Sequence, residues 1–200
     1  EIKVHPLAGA VSLQLLEKLL HILSVDQSLS QDKLDFINDV RLALGVSGKD
    51  VDKLIEQIDY LRRRNFTSNL LELLEEEQRY WVAQMIWRAI HADHRVDQRE
   101  YKYVETILQL IEHDPLRFQQ LCQLDSQVPF PSIIELDQNL RKEIYRYIVE
   151  IMMIDDEYTE EEANFVRDVG EQLGYDAHER DKVIQPVASA QMIRKIHFQD

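Results

Sequence analysis

Carboxylates gather at two short polar turns of this chain, Asp93, Asp97 and Glu100 at the first and Asp155, Asp156, Glu157 and Glu162 at the second. Hard divalent cations such as calcium and magnesium want several oxygen ligands, and two abutting turns of this composition could supply them. The spacing is not that of an EF-hand. Counting from Asp93, the third position is Arg95 and the twelfth Val104; counting from Asp155, the twelfth is Val166. A zinc variant would use His91, Asp93 and His94, because an i, i+3 pair of imidazoles shares a helical face, yet three such groups fall short of a full tetrahedral set. An enzymatic variant, a metal-dependent phosphohydrolase, would join His113 and Asp114 to His91. That pair stands immediately before Pro115, and nucleophile signatures, phosphate-cradling glycine loops and Cys–His pairs are missing. No catalytic residue and no cofactor beyond a divalent ion is expected.

The same carboxylates have architectural work to do. Three segments align without gaps: Val25 to Lys33, Ala92 to Glu100 and Ile154 to Glu162. An Asp comes first (Asp26, Asp93, Asp155), and four residues later stands a helix N-cap (Ser30, Asp97, Thr159) whose side-chain oxygen can accept from a backbone N–H of the first turn. Three residues further come Lys33, Glu100 and Glu162. In the second and third copies this completes a capping box. Val96 with Tyr101, Tyr158 with Ala163 and Leu29 with Leu34 stand at the hydrophobic-staple positions.

Apolar residues at helical spacing flank each turn. Leu15, Leu16, Leu19, Leu20 and Leu23 precede the first, and Leu34, Ile37, Val40, Arg41 and Leu44 follow it up to a C-capping Gly45. Ser47 can cap a further helix carrying Val51, Leu54, Ile55 and Ile58. Arg62-Arg63-Arg64 reads as a helix end with its cations favoured by the dipole, followed by a short acidic helix from Thr67 to Glu77. Trp81 to Ile90, Tyr101 to Ile111 and Leu116 to Leu124 form the second unit. Ser126 to Ser132 is a proline-containing connection. Ile144 to Met152 and Phe165 to Leu173 form the third unit, closed by Gly174. A last helix from Ala177 to Ile184 stops before Pro186, and Met192 to Phe198 is an amphipathic, mildly basic tail. Residues 1 to 10 read as an extended lead-in.

With five Gly and five Pro among 200 residues, and much Leu, Glu, Gln, Lys and Arg, the chain reads as all-α. It is expected to be one domain spanning 1–200, a compact bundle of helical hairpin units with internal pseudo-repeats at about 12–58, 79–118 and 140–185. The net charge of −14 argues against nucleic acid or an anionic membrane as partner. From Glu150 to Asp181 twelve acidic residues face only Arg167 and Arg180, a balance of −10. Cys122, the single cysteine, excludes an internal disulfide and reads as a buried, inert thiol in a reducing compartment. No apolar run reaches the roughly 18 residues of a membrane span. A soluble, cytoplasmic segment follows, and its start at Glu1 fits a piece of a longer protein tethered elsewhere.

The repeated pattern resembles the TerB-like family, helical domains associated with tellurite resistance and with some membrane-tethered J-domain co-chaperones. The residues that carry the likeness are Ala92, Asp93, Val96, Asp97 and Glu100, then Asp155, Thr159 and Glu162 with Leu173-Gly174, and Asp26, Ser30 and Leu44-Gly45. Two features depart from that pattern. The family has Gly after the turn Asp where this chain has Gln27, His94 and Asp156, so a different turn backbone is expected. It also has two units about sixty residues apart, whereas here the three Asp are separated by 67 (26 to 93) and 62 (93 to 155). The resemblance implies an acidic surface that binds divalent metal and a role in stress-response or envelope-linked assemblies, with no established catalysis.

The functional expectation is therefore a non-enzymatic interaction or scaffold module gated by a divalent metal (calcium, magnesium or zinc). Its partner would be a protein, basic or presenting an amphipathic helix to a groove between hairpins. The alternative is a metal-binding or sensing domain built from Asp93, Asp97, Glu100, Asp155, Asp156, Glu157 and Glu162.

Overall fold

The computed structural model describes residues 9–23, 31–96, 98–124, 135–154 and 158–197, with backbone alone for residue 31 and for 190–197. The described residues are all-α: nine α-helices and one short 3-10 turn, with no strand among them. The chain divides into two units, Glu1–Arg62 with Pro186–Asp200, and Arg63–Gln185.

In the first unit, α1 (Gly9–Leu23) packs on α2 (Gln31–Leu44), and the first half of α3 (Gly48–Leu73) completes the core. Leu16 and Leu20 of α1, Leu34 and Ile37 of α2, and Val51, Leu54 and Ile55 of α3 are all buried. Each such side chain contributes about 1.5–3 kcal/mol relative to exposure. Gly45 ends α2 with φ +66°, a left-handed turn that L side chains resist; its N–H donates to the Leu42 carbonyl at 3.2 Å and the next N–H, of Val46, to the Arg41 carbonyl at 2.9 Å. Ser47 then caps α3, accepting from the Asp50 N–H at 3.2 Å while its hydroxyl donates to the Asp50 carboxylate at 2.8 Å. Both were legible in the sequence. Helix α1 starts at Gly9, earlier than the extended lead-in allowed. Leu15 is exposed, so the buried face of α1 is narrower than the apolar pattern suggested.

The second unit is built around α4 (Glu76–Ile90), which packs against α5 (Val104–Leu110), the 3-10 turn Glu100–Tyr103, α6 (Pro115–Cys122) and α7 (Gln138–Met152). Trp81, Val82, Ala83, Met85, Ile86, Ala89 and Ile90 are all buried, so four neighbours share one helix. Helix α8 (Glu160–Gln172) packs on α7, and α9 (Ala177–His197) follows. Phe66, from the later half of α3, stacks on Tyr147 of α7 at 4.0 Å; Tyr103 meets the same ring edge-on at 5.4 Å; and the Thr106 hydroxyl lies 3.2 Å from the Tyr147 hydroxyl.

Four expectations need correcting. Arg62-Arg63-Arg64 is not a helix end: α3 runs unbroken to Leu73, because Leu61 to Asn65 contains neither Gly nor Pro, and Thr67 and Ser68 return their hydroxyls to the Arg63 and Arg64 carbonyls at 2.9 and 3.0 Å. The Arg63 guanidinium lies 5.5 Å from the Tyr103 ring centre. Helix α9 continues through Pro186, with Val183 and Val187 buried on either side of it, so packing rather than propensity carries the helix past the proline. The helix after the second turn opens as a 3-10 segment before becoming α-helical. Cys122 is exposed rather than buried, at the last turn of a short helix, and what desolvation it has raises the thiol pKa. The connection at Ser126 to Ser132 lies outside the described residues.

Helices α7, α8 and α9 meet at Gly170. A methyl group there would stand 2.5 and 2.9 Å from two stem carbons of Arg180 and 2.9 Å from the Tyr145 hydroxyl oxygen. The Arg180 stem can shift. Tyr145 cannot: it is fully buried, its hydroxyl donates to the Val166 carbonyl at 3.2 Å, and burial drives its pKa well above the ordinary tyrosine value despite the nearby Arg180. Alanine is the better helix former by roughly 1 kcal/mol, but overpacking here outweighs it. Gly170→Ala is expected to lose about 1–3 kcal/mol in urea unfolding; a midpoint equal to or above that of the parent protein would show that the Tyr145 ring gives way.

Candidate functional site

Of the seven turn carboxylates, Asp93, Glu100 and Glu162 fall among the described residues, and Asp97, Asp155, Asp156 and Glu157 lie outside them. Each of the three is positioned by a helix end. Helix α4 ends at Ile90, and the His91 N–H caps it through the Arg88 carbonyl at 3.2 Å. Asp93 is half-buried, and its carboxylate accepts from the Arg95 N–H at 2.8 Å, a local turn bond that holds the chain as it leaves α4. His94 between them has φ +61°. The turn thus takes the left-handed backbone that glycine favours, although the residue is histidine.

Glu100 opens the 3-10 turn and is 3% exposed. The box it would form with Asp97 involves a residue outside those described. The third turn can be followed in full at its cap. Thr159 accepts from the Glu162 N–H at 3.2 Å, and one oxygen of the Glu162 carboxylate receives both the Thr159 N–H at 2.7 Å and the Thr159 hydroxyl at 3.0 Å. Glu162 is 2% exposed. A carboxylate so enclosed and so used is a structural acceptor first. It also acts on its neighbour: the Tyr158 phenol is raised above its usual pKa by burial and then by the Glu162 charge.

Of the histidines offered for zinc or phosphoester chemistry, His91 is engaged in helix-end packing, while His94 and His113 are exposed. The His91 ring lies 4.2 Å from that of Trp87, and its Nδ1 stands 2.9 Å from the Trp87 carbonyl. Trp87 is half-buried, at the edge of the core, and meets Phe118 of α6 edge-on at 5.8 Å. Asp114 caps α6, accepting from the N–H groups of Leu116 at 2.9 Å and Arg117 at 3.4 Å with Pro115 in the first helical position. Ahead of it, Glu112 and His113 both have left-handed backbones, φ +57° and +55°, and Glu112 pairs with Arg79 at 2.9 Å. Among the described residues, no group of three or more His, Cys, Asp or Glu side chains is placed to hold a metal ion.

Several side chains outside the turn acids also satisfy helix ends. Lys33, where the other copies carry Glu, donates its ammonium to the Leu23 carbonyl at 3.0 Å, so it serves the end of α1 rather than the start of α2. Asp176 and Glu179 form a reciprocal box at the start of α9, at 2.8 and 3.0 Å. Glu75 and Gln78 form another at α4. The last two carry the same sequence signal as Thr159, an acceptor followed three residues later by Glu or Gln.

The acidic run from Glu150 to Asp181 therefore separates into classes. Glu150 is buried beside Arg146, with 3.6 Å between Oε1 and Nε, and Glu162 is enclosed in its cap. Asp168 lies 3.5 Å from Arg167, Glu171 3.0 Å from Arg180, and Asp176 and Glu179 hold each other's N–H groups. Glu160 and Glu161 are exposed in the first turn of α8. By helical spacing, Glu160, Glu161, Asp168 and Glu171 share one outward face.

Comparison of the chain with protein-family models, curated proteins and solved structures finds no match. No helix among the described residues is long and apolar enough to cross a membrane.

Two expected outcomes test the geometry of the turns. Thr159→Ala should cost about 0.5–2 kcal/mol, and the loss should be the same in chelator and in added calcium, magnesium or zinc, because the lost bond is a cap; a loss that appears only with an ion present would make the turn a metal site. His94→Gly should raise stability by about 0.5–1 kcal/mol by relieving the left-handed backbone, read as a higher melting midpoint, whereas a lower midpoint would mean that the imidazole has a role its exposure conceals.

Proposed function

We propose that this chain is a non-enzymatic helical interaction module whose second unit receives a basic, amphipathic protein segment. The observation that carries the reading is the outward acidic face of α8, with Glu160, Glu161, Asp168 and Glu171 at its surface. The unit behind it is strongly acidic: residues 63–185 hold 26 Asp and Glu against 14 Lys and Arg, a balance of −12. A field of that sign repels nucleic acid and anionic lipid and speeds encounter with a cationic partner.

The setting in a stress-response or envelope-linked assembly rests on the TerB-like turn motif of Asp93 to Glu100 and Asp155 to Glu162. A reducing, cytoplasmic location is proposed on the strength of one exposed thiol, Cys122, that has no second cysteine to pair with. Divalent gating would draw on the seven turn acids. Glu162 is already committed to its cap and Asp93 to its own turn, so the partner reading stands first.

A lysine-rich amphipathic peptide is the probe that tests it. The double substitution Glu161→Lys with Asp168→Lys reverses two charges about two turns apart while leaving the Thr159 and Glu162 cap intact. It should weaken binding by roughly tenfold or more at low ionic strength, mainly through the association rate. Affinity unchanged by the reversal, with the variant's melting midpoint confirmed near that of the parent, would remove α8 as the docking face. Failure of the parent protein to bind the peptide at low salt would remove the basic-partner reading itself.

A further inference from the structure

We draw no further inference here: the strongest candidate, the exposed apolar stripe of Val11, Leu15 and Ile22 along α1 of the first unit, is an unpartnered helix face, and nothing in the structure shows what covers it.

Discussion

The second unit depends on the burial of α4. A helix with Trp81, Val82, Met85, Ile86, Ala89 and Ile90 all out of water has to be enclosed from several sides at once. Helices α5, α6 and α7 and the 3-10 turn around it meet that need. Each helix of the unit, however, leaves unpaired N–H groups at its start and unpaired carbonyls at its end, and near a core those groups need protein partners. The density of Asp, Glu, Ser and Thr at the helix starts follows from that requirement. Thr159 with Glu162, Asp114 and the Asp176–Glu179 pair are the same solution applied at α8, α6 and α9.

This constraint also explains why the acidic composition is a poor guide to chemistry. Glu150 and Glu162 occur in one run with Glu160 and Glu161, yet the first two are turned inward and the last two outward. Only the outward set is available to a partner. The buried set has a different consequence. A carboxylate buried in a cap or beside an arginine keeps its place because both neighbours hold it, and removing one of them leaves an uncompensated group. Arg88, buried on α4 and lowered in pKa by desolvation, belongs to the same class of interior charge.

Much of the fold was legible because periodicity and capping are local. The helices around Leu16, Ile37, Val82, Ile148 and Val166, the Gly45 and Gly174 ends and the Ser47 and Thr159 caps follow from residues within a few positions of each other. What could not be read locally was decided by partners distant in sequence or by competition between weak signals. Arg62-Arg63-Arg64 resembles a C-terminal cluster, but no residue there breaks a helix, and Phe66 and Arg63 gain ring contacts with Tyr147 and Tyr103 if the helix continues. Pro186 resembles a stop, but Val183 and Val187 on either side of it are buried, a packing gain that the local sequence does not display. Lys33 looked like a failed capping box because its real acceptor, the Leu23 carbonyl, belongs to the preceding helix. His94 departs from glycine in type while keeping a glycine-like backbone, a distinction that sequence alone cannot carry.

Both tryptophans, Trp81 and Trp87, stand on α4 in the second unit, one enclosed and the other at the core edge against His91 and Phe118. The first unit contains none. Indole emission is therefore an optical reporter of one half of the chain, while far-ultraviolet dichroism records helix in both halves. Superposition of the two unfolding curves would mean that the halves melt as one cooperative body; separation of the curves would resolve two transitions and assign the fluorescent one to the unit around α4.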